Sequence, residues 1–514
     1  MKKIKFATLA FGAIVAVCLT MIVGCGDGSG NKADEKAGTS KVVTPPKMKM
    51  TTPSADQIQK IAEDAYLYGL QQVIYFGQRW NSTQNDVKGN ASYSGVNRLS
   101  FVRNKITPDF PIVTPNATTL YGFSFIDLQK EPVVIEHPAV TDRYFSFQIM
   151  DQYGIFFMMV GNQFNGTEAR SYLLVPPGYS GKLPGEFATT EVIQSPSRTV
   201  WGGSRLAVMT GTDDEIKRLN GYQDKITVTP LSKWIANGRK GIPWQGADIV
   251  KGDYPTYAKM GKIFKGQVDK QTTEDFLTIL NIVLNDPSMT LMADSKMEAN
   301  MLARLEAIGI GRGKGFDWSK LDKTTQDALT KGFENGYKKV KETFKSNLID
   351  MNGWMTVRNA GGFETDWLSR AVMADAGWGG PDKNVSHGAA FLFVDADGKK
   401  LNGKNKYTMT FDMKDLPPVT QFWSIPIYNI DGYFVANKID RYTINRFMLD
   451  QKQLHVENGK LVVYLQKDKP ADQKQLKNWL PAPPDNFRFA ARFYGPKMSI
   501  IDGSYKMPKP VKVN

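Results

Sequence analysis

The spacing of apolar residues changes along the chain, and each change marks a different kind of structure. From residue 54 to about residue 80, apolar positions recur at helical spacing, and Ser54 opens the segment three residues before Gln57. A serine at the helix N-cap and a glutamine at N3 satisfy each other's backbone N–H groups, so this pattern predicts a capped helix. From there to about residue 210 the pattern turns to strands: residues 143–149 alternate apolar and polar, as in strands with one buried face.

Apolar residues recur at helical spacing between about residues 255 and 380, and after about residue 385 the pattern typical of strands returns. The strongest hairpin signal there is Asn458-Gly459, a pair favoured in type I′ turns. We therefore predict a mainly β protein with α, in which an immunoglobulin-like and a jelly-roll-like β-sandwich accompany a helical region. The amphipathic helices predicted within that region cover residues 272–284, 297–308 and 329–344.

The first 53 residues differ from the rest. Three lysines precede an uncharged stretch at residues 6–24, which is typical of a signal peptide. Residues 22–25 resemble the lipobox of bacterial lipoproteins, so we predict lipidation of Cys25; the stretch is also long enough to be an uncleaved membrane anchor. By resemblance to Gram-negative sorting rules, Gly26 after the cysteine favours the outer membrane. The predicted segments are a lipoprotein signal peptide at 1–24, a flexible linker at 25–53, a helix plus β-sandwich at 54–255, a helical region at 256–384, and a jelly-roll-like β-sandwich at 385–514.

Charge and cysteine content narrow the function classes. The net charge is +14, and removal of the three N-terminal lysines with the signal peptide leaves +11. Export and the even spread of lysine argue against a nucleic-acid partner; the charge suits anionic envelope polymers or simple solvation of the surface. Cys18 leaves with the signal peptide, so the mature body has no disulfide.

The sequence lacks the residue patterns that several kinds of metal and nucleophilic chemistry require. The histidines stand at 137, 387 and 455, without metal-ligand spacing, so we predict no metal and no cofactor; a carboxylate site for Ca²⁺ or Mg²⁺ stays open. No nucleophile elbow is present. Ser386 and His387 are neighbours in sequence, which does not itself place them in hydrogen-bonding geometry.

Polar residues next to aromatic ones are the remaining candidates for a site. Such residues suit a saccharide-binding surface, since rings stack on the CH faces of sugars and polar groups bind hydroxyls. The same residues can instead tie strands together inside the core. A hydrolase that uses Arg143, Asp151 and Tyr153 is a further alternative, since paired carboxylates suffice for glycoside cleavage. The candidates are Asn116, Thr119, Tyr121, Arg143, Asp151, Tyr153, Trp423, Arg441 and Trp479.

Two sets of motifs carry a family resemblance. In the first half they are Pro115-Asn116 with Thr119 and Tyr121, Asp142-Arg143-Tyr144 with Asp151 and Tyr153, and Pro176-Pro177-Gly178; in the second half they are Pro417 to Tyr428, Arg441-Tyr442, Asn478-Trp479 and Arg492-Phe493-Tyr494. With these motifs the chain resembles the bacterial two-domain family of domain of unknown function 1254 followed by domain of unknown function 1214. The resemblance implies two β-sandwiches with a helical region, and no established reaction. The family usually has Asp before the Thr of its first motif, where this chain has Thr118.

The sequence thus predicts a membrane-tethered lipoprotein of the cell envelope. It favours binding of a polysaccharide or other envelope component, with the hydrolase as the alternative. The lipid on Cys25 would supply contact with the membrane. The sequence leaves open whether the protein is an enzyme and whether it forms a homo-oligomer.

Overall fold

The structure, a computed structural model, describes residues 53–90, 92–110, 113–187, 191–263, 271–289, 295–358, 361, 363–378 and 386–513. The predicted signal peptide, the lipidation site Cys25 and almost all of the linker lie outside the described residues. Within them the chain forms two β-sandwiches and a helical region, which confirms the predicted fold class. The helices are α1 (Ala55–Thr83), α2 (Asp213–Gln223), α3 (Leu231–Ala236), α4 (Met260–Ile263), α5 (Thr273–Asn285), α6 (Ser295–Glu306), α7 (Lys323–Ser346), α8 (Trp367–Gly377), α9 (Arg446–Asp450), α10 (Gln473–Lys477) and α11 (Met498–Ile501), with a 3₁₀ turn at Trp318–Lys320.

The first sandwich packs a five-stranded sheet on a four-stranded one. Alternation places Phe145, Phe147 and Ile149 of β4 in the core between the two sheets, as the sequence predicts. Sheet 1 has the order β1 (Ser100–Phe101), β2 (Thr119–Asp127), β8 (Thr199–Ala207), β4 (Phe145–Met150), β5 (Phe156–Gly161); sheet 2 has the order β7 (Val192–Gln194), β6 (Arg170–Val175), β3 (Val133–His137), β9 (Thr227–Pro230).

The second sandwich has a similar two-layer build. Asn458 and Gly459 both have positive φ, 51° and 71°, and join β16 to β17, which confirms the predicted hairpin. Sheet 3 has the order β10 (Leu348–Asp350), β11 (Met355–Val357), β12 (His387–Leu392), β19 (Phe487–Tyr494), β14 (Trp423–Asn429), β15 (Thr443–Asn445); sheet 4 has the order β16 (Val456–Glu457), β17 (Lys460–Gln466), β13 (Lys406–Asp412), β20 (Val511–Val513), with β18 (Trp479–Pro481) parallel to β17.

Helix α1 is the centre of the helical region. Ser54 caps it with the predicted capping box, and most of its residues are buried against α5, α6, α7, α8 and β2. On α7, a Cβ atom at Gly332 would lie 2.1 Å from the Gln59 carbonyl oxygen, so glycine is what lets the two helices approach so closely. The three helices predicted from apolar spacing are confirmed as α5, α6 and α7, and the structure adds α8.

A buried ion pair fixes the end of α1 to the end of α5. Arg79 donates to Asp286 Oδ2 at 2.5 Å and to Ser288 Oγ at 2.5 Å, and its guanidinium lies 3.9 Å from the centre of the Tyr254 ring. Because both charged side chains are fully buried, loss of either partner would leave an uncompensated charge in the core.

The two sandwiches face each other through sheet 1 and sheet 3. On β19, Phe487, Phe489 and Phe493 point into the second sandwich, so the alternate residues point toward sheet 1. None of the helices that the structure describes is long and apolar enough to span a bilayer.

Candidate functional site

The face of sheet 1 that points away from its own core carries a three-by-three arrangement of side chains, which we call the floor. Register places residues on β2, β8 and β4 side by side, so that each row crosses the three strands. The rows are Tyr121–Arg205–Ser146, Phe123–Gly203–Gln148 and Phe125–Trp201–Met150.

Aromatic rings form a continuous row across the floor. Tyr121 stacks on Phe123 with centroids 5.8 Å apart, and Phe123 stacks on Trp201 at 5.8 Å. A Cβ atom at Gly203 would lie 2.6 Å from the Trp201 ring, so the indole lies across this glycine. Trp378 then meets Trp201 edge-on at 4.9 Å. All four rings are partly exposed, although they stand in or against the middle of a sheet.

The opposing face of sheet 3, which we call the roof, is basic and aromatic. His387 on β12 lies opposite Tyr494 on β19 in register and stacks on it at 5.1 Å. Arg492 lies opposite Ala389 on one side and Ser424 on the other. Ala389 and Arg492 are partly exposed although their strands are central in sheet 3. The side chains between the two sheets are therefore not all buried, and we call the region between floor and roof the inter-sandwich cleft.

A buried joint at one edge of the cleft holds the sandwiches together, and its centre is Asn116. The Asn116 side chain donates to the Tyr494 hydroxyl at 3.0 Å and accepts from the hydroxyls of Thr118 at 2.6 Å and Ser424 at 3.3 Å. The Asn116 backbone N–H donates to the Tyr121 hydroxyl at 3.2 Å. Asn116 thus has protein partners on every side and positions Tyr121 at the end of the aromatic row.

A second set of bonds links floor to roof through Ser386. Gln148 Nε2 donates to Ser386 Oγ at 2.5 Å, and that hydroxyl lies 2.9 Å from His387 Nδ1. The structure thereby brings the neighbours Ser386 and His387 into hydrogen-bonding geometry. Burial, together with the charges of Arg205 and Arg492, lowers the pKa of His387 well below its usual range, so this ring is neutral at neutral pH.

Arg143 lies apart from the cleft, at the start of β4. Its guanidinium donates to Glu215 Oε1 at 2.6 Å, to Asp142 Oδ2 at 3.0 Å and to the Ala207 carbonyl at 3.0 Å. Burial disfavours the charged form of Glu215, but hydrogen bonds from the Met209 backbone and from Arg143 outweigh it and lower the pKa of Glu215. This arrangement is a structural network that holds α2 against sheet 1.

Asp151 and Tyr153 lie at the other end of β4, in a cluster with helical residues. Tyr153 and Tyr68 both donate to Glu298 Oε1, at 2.9 and 2.7 Å, and the Arg370 guanidinium lies 4.9 Å from the centre of the Tyr153 ring. Asp151 accepts from the backbone of Tyr153 at 2.8 Å, and burial raises the pKa of its carboxyl to about 6. We call these five residues the carboxylate–tyrosine cluster; all of them are buried.

The remaining candidates point elsewhere. Trp423 lies in the core of the second sandwich, stacked on Phe411 at 6.0 Å. Arg441 donates to the Trp479 carbonyl at 2.9 Å, and Trp479 borders a hollow of about 310 Å³ on the side of the second sandwich. Thr119 is fully buried at the start of β2, beside the joint.

The structure thus distributes the nine candidates over several places and brings Asn116 and Tyr121 together at the cleft. Sequence reasoning missed four cleft residues: Phe123, Trp201, Arg205 and Arg492. The alternation of Trp201, Gly203 and Arg205 on β8 was a usable signal, because it predicts a face distinct from that of Val200 and Leu206. In the described ranges no group of three or more His, Cys, Asp or Glu residues is placed to hold a metal ion.

Fold and site together define a two-sandwich protein with a helical region and a cleft between the sandwiches. The family described as Protein of unknown function (DUF1254) matches residues 96–230, and Protein of unknown function (DUF1214) matches residues 388–498. The chain therefore has the two-domain arrangement of DUF1254 followed by DUF1214.

One solved structure supports this architecture, and a second gives a weaker match that carries no argument. The chain is similar to the VPA0106 protein from Vibrio parahaemolyticus, with 22% identity, a TM-score of 0.64, and coverage of 89% of this chain and 100% of that one. An uncharacterized protein from Burkholderia cenocepacia has 10% identity and a TM-score of 0.38, over 89% of this chain and 95% of the other. No curated protein matches the chain. The Vibrio likeness supports the fold alone.

Proposed function

We propose that this protein binds a saccharide component of the cell envelope in the inter-sandwich cleft. The observation that carries the proposal is the row formed by Tyr121, Phe123 and Trp201, whose stacked rings stay partly exposed on the floor. Planar rings of this kind present apolar area to the CH faces of pyranose rings at low cost in side-chain entropy. Arg205, which is partly exposed, stands beside the row and supplies donors for hydroxyls and other oxygens.

The row has the form of a binding surface for a chain of sugars. Its rings follow one another across two strands, so successive sugar units would each meet a ring. The joint around Asn116 holds Tyr121 in place before a ligand arrives, which reduces the entropy lost on binding.

The test compares the affinity of the protein for a panel of soluble envelope oligosaccharides before and after removal of one ring. Phe123→Ala removes the central ring and is expected to weaken binding roughly two- to tenfold, since such ring contacts contribute about 0.5–1.5 kcal/mol. Phe316→Ala, a partly buried ring in the helical region, is the matched control and should leave affinity unchanged. Binding that survives Phe123→Ala at full strength would contradict the proposal.

We also propose that the body is tethered to a membrane through lipid on Cys25, because residues 22–25 resemble a lipobox. Wild type should partition into detergent with a mass that lacks residues 1–24. Cys25→Ser should remain as an unprocessed precursor in the inner membrane. A wild-type protein that retains residues 1–24 would refute this tether.

The second candidate is a hydrolase centred on the carboxylate–tyrosine cluster. It is favoured by the meeting of Glu298 with Asp151 in one buried polar group, where burial raises the pKa of Asp151. A catalytic pair of this kind would lose turnover in Glu298→Gln with little change in affinity. Unchanged turnover of a cleaved saccharide in Glu298→Gln would exclude this assignment.

A further inference from the structure

The inter-sandwich cleft collects three arginines for which the described residues provide no carboxylate within 4 Å. Arg205 comes from the floor, and Arg488 and Arg492 come from β19, two residues apart on each side of Ala490, so that both belong to the roof. Across the described residues, the arginines with a carboxylate within 4 Å are others. Buried or half-buried arginines are ordinarily paired.

The donors of these arginines outnumber their acceptors. Arg205 donates to Gln148 Oε1 at 2.9 Å, and Arg492 donates to the Thr114 carbonyl at 2.8 Å. The other terminal nitrogen of Arg492 is buried without a partner. Arg488 is only 3% exposed, and its Nε has no acceptor. Each guanidinium carries five N–H donors, and on Arg488 and Arg492 at least one buried nitrogen has no protein acceptor.

The positive charges of the cleft act on one another. Burial lowers the pKa of Arg488, and the nearby charge of Arg492 adds to that effect, whereas Asp431 acts in the opposite direction. His387, which lies near both Arg205 and Arg492, is neutral at neutral pH and contributes no charge of its own. A bound anion would satisfy the free donors and relieve the repulsion together.

We infer that the cleft selects a saccharide that carries an anionic group, a carboxylate or a sulfate ester, and that Arg205 and Arg492 bind this group. This inference rests on the proposed saccharide-binding function. Tyr121 and Arg205 are directly opposite each other in register, which places their Cβ atoms about 4.5–5.5 Å apart. A sugar stacked on the aromatic row therefore presents its substituents to the arginine. Arg488 adds positive charge from the roof.

The experiment measures binding to the full chain in detergent by calorimetry with four probes. These are oligogalacturonates, neutral cello-oligosaccharides of the same length, sulfated cello-oligosaccharides, and inorganic sulfate. Arg205→Gln and Arg492→Gln each remove one cleft charge while keeping a polar side chain of similar length. Arg198→Gln, at an exposed position before β8, is the matched control.

We expect an acidic oligosaccharide to bind at least tenfold more tightly than the neutral one, with the carboxylate and sulfate probes showing which anion is preferred. Each cleft variant should lose at least tenfold in affinity for the acidic probe and clearly less for the neutral probe, while Arg198→Gln behaves as wild type. Equal affinities for acidic and neutral probes, or a preference that survives in both cleft variants, would overturn the inference but not the proposed function. Binding of no saccharide, with or without binding of sulfate, would overturn both.

Discussion

The Arg143→Ala variant distinguishes between two roles for Arg143, a structural ion pair and a ligand contact. The arginine side chain is fully buried, and its removal leaves Glu215, itself only 5% exposed, without its cationic partner. Loss of one partner from a buried ion pair costs about 3–5 kcal/mol. Glu215 keeps hydrogen bonds from the backbones of Met209, Thr210 and Gly211, so we expect a value near 3 kcal/mol.

The measurement is urea unfolding followed by tryptophan fluorescence at neutral pH, with Arg218→Ala as the control. Arg218 is 58% exposed and contacts Asp142 at 3.4 Å, so its loss should cost less than about 1 kcal/mol. Acid should reduce the difference between Arg143→Ala and wild type. The pKa of Glu215 is lowered in the fold, so its contribution is present above the usual value of 4.5 and is lost as the pH falls through the folded pKa.

A cost for Arg143→Ala no larger than that of Arg218→Ala would refute the structural assignment. If the melting temperature of Arg143→Ala stayed at the wild-type value while saccharide binding disappeared, Arg143 would have to be a ligand contact instead.

Three further predictions concern stability and are measured by the same unfolding assay. The pKa of Asp151 is raised to about 6 in the folded protein, so the protonated carboxyl contributes about 3 kcal/mol to the free energy of unfolding below pH 3.8, and this contribution is lost as the pH rises through 6. Asp151→Asn should flatten this dependence of stability on pH, and a variant with the wild-type pH profile would contradict the prediction. Gly221→Ala in helix α2 should stabilise the protein by about 0.5–1 kcal/mol, because alanine favours the helical backbone. Gly459→Ala, at a φ of 71° in the hairpin, should destabilise it by about 1 kcal/mol; if both substitutions changed the free energy of unfolding in the same direction, backbone conformation would not explain their effects. Asn116→Ala should cost about 1–3 kcal/mol because it removes the partner of the Tyr494 hydroxyl, and a neutral result would show that the joint does not stabilise the fold.

Local patterns in the sequence were sufficient to predict the elements. The capping box at Ser54, the alternation along β4 and the Asn458-Gly459 turn each depend on residues within a few positions of one another. Such contacts are written in the spacing of side chains, so they can be predicted before any tertiary structure is known.

The site could not be predicted in the same way, because its contacts join distant parts of the chain. Asn116 and Tyr494 are separated by 378 positions, and Tyr68 and Glu298 by 230. The alternation of apolar and polar residues predicts which face of a strand is buried, but it does not predict which other sheet covers that face. Arg205 and Arg492 were therefore indistinguishable from ordinary surface arginines until sheets 1 and 3 were seen to face each other.

The central position of α1 has a consequence for how the chain must be made. Among the described residues this helix is the first element to be synthesised, yet its largest partner, α7, ends at Ser346. Until about two thirds of the polypeptide has emerged, α1 lacks this largest partner, although β2, α5 and α6 emerge earlier. Since this pairing is long-range in sequence, we expect the helical region to fold late. That delay is compatible with export across a membrane in an unfolded state, which requires that stable structure form only after passage.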